Sequence, residues 1–186
     1  MENVVTQWFG DAFSHLHPLL HKLHREGGTL TGPVQVEYGP GLAGWIGRRI
    51  AGKTGAPQTT GMVGFCVEIR HTGDALVWSR TFESGAQMHS LFRPHGAFPD
   101  GYWSESTSGV ELRLGVDIRE GGWRWVPLRC KVHGVPLPLW LVPRTDAYKT
   151  VVGDQYRFAV TLSLPVLGKL MSYSGDLRLG EYRRPA

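Results

Sequence analysis

The period of the hydrophobic pattern changes near residue 60. In GMVGFCVEIR, Val63, Phe65, Val67 and Ile69 alternate with Cys66, Glu68 and Arg70. In GVELRLGVDI, Val110, Leu112, Leu114, Val116 and Ile118 alternate with Glu111, Arg113 and Asp117. In QYRFAVTLSL, Tyr156, Phe158, Val160, Leu162 and Leu164 alternate with Arg157, Thr161 and Ser163. A strand with one dry and one wet face belongs in an antiparallel sheet. Turn-forming clusters fall between the runs: His71-Thr72-Gly73-Asp74, Pro99-Asp100-Gly101, Glu120-Gly121-Gly122 and Val152-Gly153-Asp154. Strands recurring every ~10–15 residues predict a meander that curls on itself and so hides its edges.

Before residue 60 the period is helical. Across residues 3–25, Val4, Val5, Trp8, Phe13 and Leu16 fit an amphipathic pattern that Gly27-Gly28 ends. A short strand in TLTGPVQVEYG precedes GLAGWIGRRIAG, whose Leu42, Trp45, Ile46 and Ile50 share a helical face. Pro18 divides the first region: it lacks the backbone donor of a helix interior and pushes His17 toward extended geometry. The expected arrangement is a helix ending near Leu16, a corner at His17 and a new helix with Pro18 in its first turn. The four histidines of SHLHPLLHKLH then do not share one face, and no metal site is expected there. His17 is read as a structural residue fixing the corner with Pro18, and His21 and His24 as solvated.

The fold expected is α+β and mostly β. Residues 1–186 form one domain, with a mainly helical part at 1–55 and an antiparallel part at 60–182. The architecture is a meander barrel or strongly curled sheet of about eight to ten strands, lipocalin/calycin-like, carrying N-terminal helices. A START-like helix-grip fold is the alternative. It should end in a long amphipathic helix, whereas this chain closes on the strand-like LMSYSGDLRLGEY.

Composition narrows the function more than it names it. The chain is 41% hydrophobic and 19% charged, with 11% aromatic residues, ordinary for a soluble protein. A net charge of +4 with scattered cations, pairs such as Arg48-Arg49 and Arg183-Arg184 apart, argues against a nucleic-acid surface. No apolar run is long enough for a spanning helix and no secretory leader is visible, so a cytoplasmic protein without membrane insertion is expected. Two cysteines, Cys66 and Cys130, make neither a disulfide framework nor a four-ligand zinc site. No nucleotide, flavin or metal motif is present, and no cofactor is expected.

Arg80 is the most informative polar residue, because it shares a strand face with Trp78 and Phe82. On an inward face it needs a carboxylate, with Glu105 the natural partner, or an anionic ligand suited to its planar fork. Trp103 and Trp125 supply the aromatic wall a small-molecule pocket needs. Glu105 in an apolar pocket is a candidate general acid or base, and Tyr173 a candidate to present its hydroxyl. His89 and His95 flank a segment placed to cover a barrel mouth.

Several short motifs occur in order along the chain: Leu16-His17-Pro18; Trp78-x-Arg80-x-Phe82 with Ser90; Glu105; Gly121-Gly122; Pro136-Leu137-Pro138; Pro165-x-x-Gly168; and Tyr173-x-Gly175-x-Leu177. In this set the chain resembles the bacterial domain of unknown function 4166 family. Some members of that family follow an NAD(P)-binding domain of saccharopine-dehydrogenase or epimerase type. Ser108-Gly109 stands where the family usually has Gly-Pro, and Tyr148-Lys149 falls near a position that tends to be acidic. The resemblance implies a bacterial metabolic setting and an NAD(P)-binding enzyme as a possible partner.

Three functions are compatible with these features. The first is a small-molecule-binding barrel for an apolar or amphipathic ligand held by Trp78, Arg80, Phe82, Trp103 and Trp125. The second is a cofactor-independent isomerase, cyclase or lyase using Glu105 and Tyr173. The third is an interaction module of a redox enzyme.

Overall fold

A computed structural model describes residues 2–180 apart from Ser108; the Arg183-Arg184 pair and Ser108 lie outside the described residues. Helix α1 (Val4–Phe9) begins at Asn3, whose side chain accepts from the backbone N–H groups of Val5 and Thr6. Thr6 reciprocates by accepting from the Asn3 N–H, which completes a capping box. A 3-10 turn (Gly10–His15) leads to the corner, and α2 (Pro18–Glu26) follows. His17 is extended there, Pro18 occupies the first turn of α2, and His17 Nδ1 accepts from the Leu19 N–H at 3.2 Å. The His17 N–H donates to the Gly121 carbonyl at 2.9 Å, which ties the corner to a turn of the sheet. His17→Ala removes one cap from a short helix and is expected to cost about 0.5–1 kcal/mol. A lower urea midpoint with an unchanged slope is the readout; no change would mean the cap contributes nothing.

The strands are β1 (Gly28–Tyr38), β2 (Gly61–Thr72), β3 (Ala75–Phe82), β4 (Gln87–His95), β5 (Tyr102–Thr107), β6 (Val110–Asp117), β7 (Trp123–Val132), β8 (Val135–Leu137), β9 (Arg144–Val152), β10 (Gln155–Leu164) and β11 (Gly168–Leu179). β1 to β7 pair in sequence, β7 pairs with β9, and β9, β10 and β11 continue back to β1. All pairings are antiparallel, so ten strands close a meander barrel, and β8 is a flap on the end of β7. Closure of the sheet into a barrel, in place of an open sheet gripping a helix, removes the helix-grip alternative.

Closure fixes two different ends. α1, the 3-10 turn and α2 plug one end with Val5, Trp8, Phe9, Leu20 and Leu23, all buried. Trp8 meets Trp103 at 5.5 Å between ring centroids and Phe9 meets Trp123 at 4.9 Å. At the other end β7 and β9 pair only from Trp123↔Lys149 to Trp125↔Ala147. Beyond that the seam parts, and the connection carrying His133, Val142 and Pro143 reaches the interior.

The structure decides which face of the next helix packs, and it overturns one expectation. Helix α3 (Gly41–Thr54) buries Ala43, Gly44, Gly47 and Ala51, while Leu42 and Trp45 are 59% and 56% exposed. The helix lies so close to β11 that a Cβ at Gly47 would stand 2.3 Å from the Leu170 carbonyl oxygen. Close approach selects the small-residue face over the more hydrophobic one. His89 and His95, in turn, stand at opposite ends of strand β4 rather than beside one mouth.

Candidate functional site

The barrel encloses a cavity of about 430 Å³, open at the end opposite the plug. Its walls follow from strand alternation, since residues two apart face the same side. β3 contributes Trp78 and Arg80, β5 Glu105 and Thr107, β10 Tyr156, Phe158 and Val160, and β11 Met171 and Tyr173. Arg80, Glu105, Tyr173, Trp78 and Trp125 thus share one chamber. Phe82 and Trp103 do not line it. Phe82 is packed against Phe65 and Tyr173, with centroids 4.9 and 6.0 Å away. Trp103 is wholly buried against Trp8 of the plug. Both point inward as expected, but core packing consumes their surfaces.

Arg80 donates to Ser90 Oγ at 2.9 Å and lies 5.3 Å from the Trp78 ring centroid. Among the described residues it forms no ion pair: Glu105 faces the same cavity but stays beyond ion-pair distance. A cavity-facing guanidinium whose only hydrogen-bonding partner is a hydroxyl retains donors for a ligand. Burial pushes the Tyr173 phenol up, Arg80 opposing and Glu105 adding to the shift, and burial does the same to Tyr156. Both tyrosines therefore stay protonated at neutral pH, each keeping an O–H to donate.

The group that residue-by-residue reading passes over is Lys149. It is 3% exposed, lies on the inward face of β9 between Ala147 and Val151, and lines the cavity. Its Nζ is 3.8 Å from the ring centroid of Trp123, 4.2 Å from that of Trp78 and 5.8 Å from that of Trp125. Among the described residues no acceptor reaches it. Burial, reinforced by the like charge of Arg80, holds the amine well below the ordinary lysine range.

His24 lies behind the indoles. It is fully buried rather than solvated, 4.6 Å from the Trp123 ring centroid, with neither ring nitrogen hydrogen-bonded. Burial, then Lys149 and His71, push its pKa well down. It follows Leu20 by four residues on α2 and shares the buried face of that helix, the signal that marks it as inward. The other histidines of the stretch diverge. His15 and His17 are exposed, and His21 stacks on Phe13 at 4.8 Å. Among the described residues no three His, Cys, Asp or Glu side chains converge on one point, and no helix is long and apolar enough to cross a membrane.

Lys149 was legible in part. In RTDAYKTVV the alternation puts Thr145, Ala147, Lys149 and Val151 on one face, an inward cation in an otherwise small and apolar row. The tryptophans around it come from β3 and β7 and are brought there by closure.

No curated protein matches the chain. Residues 16–177 match the profile of a domain of unknown function, DUF4166. That span runs from the Leu16-His17-Pro18 corner, through every barrel strand, to Leu177 of the Tyr173-x-Gly175-x-Leu177 motif in β11. With the corner, the cavity wall and the closing strand all inside the match, the chain belongs to the DUF4166 family.

Proposed function

We propose that the barrel binds a small apolar or amphipathic molecule in its interior, the polar end of the ligand meeting Arg80 and its apolar body filling the mouthward wall. The observation that carries this reading is the cavity of about 430 Å³ whose mainly apolar wall holds a guanidinium with no carboxylate paired to it. A volume of that order is typical of small-molecule sites, which combine apolar lining with a few convergent polar groups. Val160 and Leu162 of β10 with Leu112 of β6 form the apolar stretch, and Tyr173 and Ser90 add hydroxyls around Arg80. Exposed Val135, Trp140 and Leu141 sit on the connection beside the mouth, where an apolar ligand would enter.

Displacement of a polarity-sensitive dye by decanoate and decanol tests this. Arg80→Met should weaken decanoate about 10- to 100-fold, the loss of a charged hydrogen bond, and leave decanol nearly unchanged. Val160→Trp, which fills the cavity, should abolish dye uptake. Dye binding that survives Val160→Trp places the dye outside the barrel and sinks the proposal. Native mass spectrometry of protein from its own host would show the physiological ligand as a co-purifying mass.

A further inference from the structure

We propose that Lys149 is a nucleophilic amine, condensing with the aldehyde or ketone carbonyl of an apolar ligand to form an imine. This rests on the cavity being a ligand site, and it narrows the ligand to carbonyl compounds.

The geometry separates Lys149 from every other lysine of the chain. Lys22, Lys53 and Lys169 are exposed, Lys169 pairs with Glu37, and Lys131 is half-buried; Lys53 reaches the cavity only from α3, outside the barrel wall. Lys149 alone is buried on the inward face of a barrel strand, its stem lining the cavity and its Nζ enclosed by Trp78, Trp123 and Trp125. Among the described residues no carboxylate or carbonyl accepts from the amine. An ammonium so placed loses its hydration and has only indole faces in return, while Arg80 repels it across the cavity. Such surroundings favour the neutral amine, the form that attacks carbonyl carbon. A purely structural cation would be held by an acceptor, and a filler for an aromatic box would be an apolar side chain. The four-carbon stem is flexible enough to swing Nζ from the indoles into the chamber once a ligand lies there.

The chemistry closes on itself without an oxidant or reductant. The Nζ lone pair bonds to the carbonyl carbon while the C–O π pair moves to oxygen, and one amine proton passes to that oxygen, giving a carbinolamine. The C–O bond then breaks as nitrogen forms the C=N bond, and the oxygen departs as water with the second amine proton. Both protons pass from nitrogen to oxygen within the reacting pair, and Tyr173 of β11 and Glu105 of β5 line the same cavity. The other charged or titratable groups around the amine are Arg80 on β3, Tyr156 on β10 and His24 on α2.

The full chain is incubated at neutral pH with decanal, reduced with borohydride, weighed intact and peptide-mapped. The expected result is one reduced adduct per chain, at Lys149, formed at least tenfold faster than at Lys22 or Lys169. Lys149→Met should lose it while still binding decanol, which shows the variant folded with its cavity intact. If decanal displaces the dye yet no adduct forms, or adducts spread evenly over surface lysines, the imine proposal fails and the binding proposal survives. If neither decanal nor decanol displaces the dye, both fail.

Discussion

Replacing Lys149 by methionine raises the thermal midpoint by roughly 3–10 °C, about 1–3 kcal/mol in a chain of this size. The ammonium would lose hydration worth several kcal/mol on burial. Cation–π contacts return up to about 2 kcal/mol each when desolvated, and of three indoles only Trp123 and Trp78 lie near that range. Deprotonation relieves the charge but leaves an amine buried without an acceptor. Methionine fills similar space, buries no polar atom and packs well on aromatic rings. The pH dependence gives a second check. The unfolded chain holds the Lys149 proton up to about 10.4 and the folded chain gives it up much earlier. Stability therefore rises with pH between those two values and is lowest below the folded one. The midpoint of the parent should approach that of Lys149→Met as pH climbs toward 10. A variant less stable than the parent would mean that the indole box stabilises the cation. A more stable Lys149→Met that loses imine capture would mark Lys149 as a residue kept for chemistry at a cost in folding.

Acidification from pH 6.5 to 5.5 destabilises the protein by about 1 kcal/mol through His24, and His24→Phe removes most of that slope. His24 folds neutral, because burial, Lys149 and His71 all oppose its proton. The unfolded chain takes up that proton near pH 6.5. The unfolded state thus binds more protons below that pH, and stability falls with pH until the folded histidine titrates. His71 is shifted the same way, mainly by burial, but only partly enclosed, so its share is smaller. Three carboxylates act in the same sense, but at lower pH. Glu37, Asp117 and Asp176 are held below their ordinary values of 4.5 and 3.8, chiefly by hydrogen bonds from Lys169, Arg119 and Arg157. Stability from these carboxylates is present above those values and goes as pH falls through the folded ones, clear of the histidine window. Denaturation midpoints of parent and His24→Phe at half-unit steps from pH 7.5 to 5 are the measurement. Parallel curves would show that the proton responsible binds elsewhere.

Much of the barrel was legible because a two-residue period leaves little choice. Val63, Phe65, Val67 and Ile69 can share only one face, and so can Trp78, Arg80 and Phe82. That Arg80 shares a face with Trp78 and Phe82 follows from the alternation alone; that this face is the inner one does not. Pro18 likewise forces the His17 corner, since its ring and missing donor act on adjacent residues. What failed did so where distance mattered. The face of α3 that carries Leu42 and Trp45 stays outside, because β11 comes too near for any side chain larger than alanine, and at Gly47 for any Cβ at all. Phe82 and Trp103 point inward as read, yet other rings already occupy the space before them. His24 was assigned to solvent by residue type, although the helical period placed it beside Leu20 and Leu23.

By itself the sequence determined which strand residues share a face, where the chain turns, and that the fold is an antiparallel meander with helices ahead of it. These are local properties, settled by backbone geometry and near neighbours. Only the tertiary structure decided that Lys149 of β9 meets Trp78 of β3 and Trp123 of β7, that Arg80 and Glu105 line one cavity without pairing, and that His24 closes the floor behind the indoles. Alternation tells a side chain to turn inward; closure of the barrel, through pairings far apart in the chain, chooses the wall it meets.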